Sequence, residues 1–65
     1  MNSFDMQRVV EGAGYHFSTA TADGGVVACV YGPSGAATRE YLGDTHRAAM
    51  ALAYSEFIRN RKVTA

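Results

Sequence analysis

The stretch Tyr15-His16-Phe17-Ser18-Thr19-Ala20-Thr21-Ala22-Asp23-Gly24-Gly25-Val26-Val27-Ala28-Cys29-Val30-Tyr31 decides the fold. Two runs rich in aromatic and β-branched residues flank Asp23-Gly24, a two-residue turn signal. The spacing therefore predicts a β-hairpin with strands over Tyr15–Ala22 and Gly25–Tyr31. With Asp23 and Gly24 as the loop, Thr21 faces Val26, Thr19 faces Ala28, Phe17 faces Val30 and His16 faces Tyr31. Side chains alternate across a strand. One face then holds Tyr15, Phe17, Thr19, Thr21, Val26, Ala28 and Val30, and the other His16, Ser18, Ala20, Val27, Cys29 and Tyr31. Phe17, Val26 and Val30 make the first the core face. The second is more apolar than a solvated sheet surface requires.

Downstream, Gly32-Pro33-Ser34-Gly35 reads as a turn, with the proline pre-setting its φ. A third, more polar strand is expected over Ala37–Leu42, at an edge. Gly43-Asp44-Thr45 then breaks the strand and offers a helix cap. His46–Arg61 is alanine-rich and free of glycine and proline, and is expected to form the main helix. Ala49, Met50, Ala53 and Phe57 share the side that should pack on the sheet. Arg47, Ala51, Ser55, Arg59 and Lys62 line the opposite side, Leu52 and Tyr54 lie at the margins, and Ile58 falls among polar residues with no evident place in the core. Upstream, Ser3 is expected to cap a short helix over Phe4–Glu11, with Met6, Val9, Val10 and Ala13 on one side and Gly12 and Gly14 ending it. The expected architecture is a single α+β domain over residues 1–65. It has a three-stranded antiparallel sheet packed on a long C-terminal helix, beside a short N-terminal helix.

Composition narrows the functional classes. The chain has 65 residues, 48% apolar and 18% charged, with formal net charge zero. Eleven alanines and one cysteine leave nineteen larger apolar side chains to build a core. So short a chain hides only ~60% of the surface its unfolded form exposes, so association with a partner or with itself is expected to add burial. No apolar run approaches the ~20 residues of a membrane span, and no secretion signal opens the chain. A cytoplasmic setting without membrane attachment is expected. His16, Cys29 and His46 are too dispersed for a metal site, so neither metal nor cofactor is expected.

Charge is unevenly distributed. Residues 1–37 carry Arg8 against Asp5, Glu11 and Asp23, whereas residues 38–65 carry Arg39, Arg47, Arg59, Arg61 and Lys62 against Glu40, Asp44 and Glu56. Arg59, Arg61 and Lys62 suit the negative end of a helix. The same five cations are the candidate residues for a nucleic-acid-binding alternative, which zero net charge disfavours. His16 and Cys29 share a sheet face and invite a thiol–imidazole reading, but no orienting group or oxyanion site accompanies them. No catalytic residue is therefore assigned. Gly32-Pro33-Ser34-Gly35 lacks the lysine and the following helix of a phosphate-binding loop. Tyr15, Phe17, Tyr31 and Tyr41 could stack on bases, but strands one and two carry no basic residue except His16, which favours core or protein-interface roles.

Asp23-Gly24-Gly25, followed by Gly43-Asp44-Thr45 and then Ala49 and Ala53, resembles HicB-type antitoxins, whose domain has a DGG hairpin turn and a helix patterned GDTxEEAxxxA. The likeness covers roughly residues 15–58. Arg47 and Ala48 stand in place of the usual acidic pair. The resemblance implies a protein-binding module that neutralises a small partner. The order helix–strand–strand–strand–helix is also similar to double-stranded-RNA-binding modules and the HicA toxins that share their fold. Here His46-Arg47 stands where the former carry a lysine cluster, and the Gly-Ser-His of the latter is absent.

The expectation is thus a non-enzymatic interaction protein, antitoxin-like or of the phage-inhibitor type, that regulates or inhibits a protein partner. The expected contact residues are His16, Ser18, Val27, Cys29 and Tyr31 on the sheet, with Ile58 and Arg59 on the helix. The alternatives are the nucleic-acid-binding module and a self-assembling subunit, such as a homodimer.

Overall fold

The computed structural model describes residues 2–64, with side chains through Arg61. The chain runs α1 (Ser3–Gly12), β1 (His16–Ala22), β2 (Gly25–Tyr31), β3 (Tyr41–Gly43) and α2 (His46–Thr64). The strands form one antiparallel sheet in the order β1-β2-β3. This is the expected α+β architecture, and the hairpin has the expected register, from His16↔Tyr31 through Phe17↔Val30 and Thr19↔Ala28 to Ala22↔Gly25. Gly24 has φ +87° while Asp23 keeps a negative φ. The turn thus needs glycine only at its second central position.

Both helices cover the same face of the sheet. Met6 of α1, Val26 and Ala28 of β2, and Ala49 and Met50 of α2 form one buried cluster. Val10, Val30, Ala53 and Phe57 form the next, flanked by Tyr15, Tyr54 and others. Ala49 and Ala53 are fully buried. Their short side chains let α2 sit close on β2, and the bulk is supplied by Met50 and Phe57 beside them. Tyr15 meets the Phe57 ring edge-on, at 5.2 Å between centroids and 64° between planes, an arrangement aromatic quadrupoles favour.

Five expectations are corrected. Asn2, not Ser3, caps α1: its Oδ1 accepts the Asp5 N–H at 2.8 Å, and the helix begins one residue earlier. Asn and Ser cap equally well, so residue type alone could not rank them. The third strand is not continuous over Ala37–Leu42. Ala37 makes an isolated bridge to Tyr31, and the ladder resumes only at Tyr41–Gly43. Thr38 explains the gap, because its hydroxyl accepts the Val30 N–H at 2.9 Å while its own N–H donates to the Val30 carbonyl. A side chain thereby substitutes for one rung. Gly43 closes β3 rather than breaking it, and α2 extends past Arg61 to Thr64. Ile58 does have a place: it is half-buried against the cluster of Val10, Val30, Ala53 and Phe57. α1 contacts α2 as well, and its Val10 joins that cluster beside the sheet.

Gly43 explains the Gly-Asp-Thr segment physically. A Cβ there would stand 2.5 Å from the Ala49 nitrogen and 2.9 Å from the Ala48 carbonyl carbon. A Cβ on Gly25, its close neighbour on β2, would collide with the Gly43 carbonyl oxygen. These two glycines bring β2, β3 and the first turn of α2 together backbone to backbone. Thr45 then caps the helix, its Oγ1 accepting the Ala48 N–H at 3.1 Å. Gly43→Ala should lower unfolding free energy by about 1–3 kcal/mol, the usual cost of overpacking. Gly12→Ala, where a Cβ meets nothing within 4 Å, should be neutral or stabilising by up to about 1 kcal/mol. Urea denaturation of the two variants checks the contrast.

Candidate functional site

The face of the sheet turned away from the helices is the candidate surface. β1 contributes His16, Ser18 and Ala20, all exposed, and β2 contributes Val27 and Cys29, half-buried, with exposed Tyr31. β3 adds Leu42, paired with Val27 in register and 56% exposed. Tyr31 is 44% exposed, and its ring lies 5.7 Å from that of His16, its cross-strand partner. The surface thus has a row of Ala20, Val27 and Leu42 crossing all three strands, and an aromatic corner at His16 and Tyr31. No Lys, Arg, Asp or Glu lies on β1 or β2.

Leu42 was not among the residues expected here. Its face follows from the β2–β3 register, and the turn and interrupted ladder between Gly32 and Glu40 hide that register from the sequence. Tyr41 and Leu42 must point oppositely, but which of them faces the helix is fixed by the bond from Tyr41 to Glu56.

Tyr41 does reach the helix. Its hydroxyl donates to the Glu56 carboxylate at 2.6 Å, and the Arg39 N–H donates to the same oxygen at 3.3 Å. The bond from Tyr41 and that from the Arg39 backbone hold the Glu56 carboxyl below its ordinary range, against the opposing effect of its partial burial. The same bond to Glu56 raises Tyr41 above a usual phenol. This junction ties the chain before β3 to α2. It is a structural clasp on the helical side, remote from the outer face.

Of the cations of the nucleic-acid alternative, Arg39, Arg59 and Arg61 gather around Glu56 and Phe57, and Arg47 stands apart on α2. Arg39 and Arg59 act on the Glu56–Tyr41 pair, and the Arg61 guanidinium lies over the Phe57 ring at 5.4 Å. Arg47 lies twelve residues before Arg59 on α2, about 18 Å along the axis at 1.5 Å per residue. The Lys62 side chain lies outside the described residues. The four aromatics named as candidate stacking groups are dispersed: Tyr15 and Phe17 pack in the core, Tyr41 binds Glu56, and Tyr31 alone occupies the outer face. Ile58 is half-buried against the cluster of Val10, Val30, Ala53 and Phe57, and Arg59 is exposed beside it.

Among the described residues no group of three or more His, Cys, Asp or Glu could hold a metal ion, and no helix is long and apolar enough to cross a membrane. A half-open hollow of about 180 Å³ lies beside the 32–38 turn, lined by Tyr15, Val30, Thr38, Phe57, Asn60 and Arg61 among others. It is smaller than the ~300 Å³ at which small-molecule pockets begin. No family model, no curated protein and no solved structure matches the chain. The likeness to HicB-type antitoxins therefore rests on its turn and cap residues with Ala49 and Ala53.

Burial, followed by the nearby Glu40 carboxylate, pushes the Cys29 thiol above its ordinary value. Reactive cysteines sit in the opposite, electropositive setting. Cys29 should therefore alkylate with iodoacetamide more slowly at pH 7.5 than an unstructured cysteine peptide, and Glu40→Gln should speed the reaction. A wild-type rate above that of the peptide would contradict this assignment.

Proposed function

We propose that the protein is a non-enzymatic interaction module that binds and regulates or inhibits a protein partner through the outer face of its sheet. The single observation that carries this reading is the uncovered row of Ala20, Val27 and Leu42 with Tyr31 at its end. Burial of large aliphatic and aromatic side chains supplies the core of protein interfaces, with charge kept to the rim. Here Glu40, close enough to act on Cys29, is a rim charge. Two further points support the reading. The raised thiol disfavours covalent chemistry at Cys29, and the engagement of Arg39 and Arg59 with the Glu56–Tyr41 pair disfavours a phosphate-tracking groove. The resemblance of the turn and cap residues to antitoxins that neutralise a partner points the same way. His16, Ser18, Val27, Cys29 and Tyr31 remain the proposed contacts, extended by Ala20 and Leu42, with Arg59 as a secondary contact on α2.

The test is comparative capture from the native host. A tagged Leu42→Lys/Tyr31→Lys double variant should lose the partner retained by the wild type. Phe4→Lys, on the exposed side of α1 where Phe4 is 66% exposed, should keep it. All three should unfold within about 0.5 kcal/mol of one another, as exposed substitutions usually do. Equal capture by the double variant would overturn the proposal.

A further inference from the structure

β1 and β3 are the two edges of the sheet, and they differ sharply. β3 spans only Tyr41–Gly43 and is flanked by Glu40 and Asp44. Short edges and nearby charge are the devices that keep edges from pairing. β1 spans seven residues, His16–Ala22, with no Lys, Arg, Asp, Glu, Pro or Gly. Its one adjacent charge is Asp23, in the turn at its end, and its length and uncharged middle leave the rest of the edge unprotected.

The register shows which backbone groups β1 leaves open. Antiparallel pairs alternate between hydrogen-bonded and non-hydrogen-bonded, and the pair closing a two-residue turn, Ala22↔Gly25, is a hydrogen-bonded one. His16, Ser18 and Ala20 then turn their N–H and C=O groups toward β2, whereas Phe17, Thr19 and Thr21 turn theirs outward. Bonds elsewhere agree with this parity. Val30, opposite Phe17, turns away from β1 and exchanges bonds with Thr38. Tyr15, in step with Phe17, gives its N–H to the Val10 carbonyl at 3.0 Å. Among the described residues no hydrogen bond engages the outward groups of Thr19 and Thr21. Their side chains are exposed as well, although they lie on the helical face.

The geometry points to a homodimer in which β1 pairs antiparallel with β1 of a second copy, about a two-fold axis at Thr19, to make one continuous sheet. The outward groups are symmetric about that residue. Thr19 meets Thr19 of the second copy and Phe17 meets Thr21, each as a hydrogen-bonded pair. On the opposite face Ser18 meets Ala20. No like charges meet at any of these pairs, and Thr–Thr and aromatic–Thr neighbours are favourable across strands. Half-buried Phe17 gains a neighbour on its open side. Zero net charge leaves no overall repulsion between copies. A second copy presents the same uncharged strand with the same outward groups. The seam lies at the sheet edge and does not depend on the partner surface proposed above.

Sedimentation equilibrium of the full chain from micromolar to millimolar concentration is the test. The wild type should approach twice its 6.9 kDa chain mass. Thr19→Pro removes an outward N–H, and proline is tolerated where an edge N–H faces solvent. Thr19→Lys sets two like charges opposite each other. Each variant should weaken the dimer at least about tenfold while keeping the wild-type far-UV circular dichroism. Thr19→Cys in a Cys29→Ser background should oxidise to a covalent dimer, because Cα atoms of a hydrogen-bonded pair lie ~5.5 Å apart, within disulfide reach. A wild type that stays monomeric throughout would overturn the proposal. So would a dimer that Thr19→Lys leaves intact and Thr19→Cys does not cross-link.

Discussion

The contact between the alanine face of α2 and the valine face of β2 is the constraint on which the rest depends. Ala49 and Ala53 lie fully buried against a strand whose inward residues are Val26, Ala28 and Val30. Neither surface is bulky, so the helix must come close for apolar area to leave water, and dispersion falls off quickly with separation. Glycine at Gly43 and Gly25 makes that approach possible at one end of the helix. The Glu56 carboxylate, holding Tyr41 and the Arg39 N–H, fixes the other side of the same seam. α1 completes the core with Met6 and Val10.

A core assembled this way has one side. Both helices are committed to a single face of the sheet, and the opposite face keeps Leu42, Val27 and Tyr31 at least partly in contact with water. The helices also cover β2 more fully than β1, whose inner threonines stay exposed. Two unsatisfied features thus arise from the same economy of length: an apolar outer face and an open strand edge. A protein partner on the first and a second copy on the second are compatible, since the face and the edge use different atoms. Pairing along β1 would double the outer face without covering it.

The hairpin was legible because Asp23-Gly24 fixes the register and the register assigns every face; Phe17, Val26, Ala28 and Val30 followed at once. The helix face of Ala49, Met50, Ala53 and Phe57 was legible from helical spacing. The failures have a common physical origin in non-local bonds. Thr38 replaces a ladder rung with its hydroxyl, and Glu56 draws in a tyrosine fifteen residues earlier, so β3 shortened and Leu42 went unnoticed. Ile58 was misplaced because the cluster it packs against draws on α1 and β2 as well as α2, a combination no local pattern encodes. On the outer face, the residues of β1 and β2 could be read from the hairpin, while those of β3 required the tertiary structure.

Native-state hydrogen exchange by NMR reads the α2–β2 seam itself, because segments that open together exchange with one free energy. The amides of Ala28 and Val30 in β2 and those around Ala53 in α2 should share the highest protection and fall in parallel as denaturant is added. Protection of α2 that collapses well before that of β2 would show that the helix is held by something other than this seam, and would contradict the account.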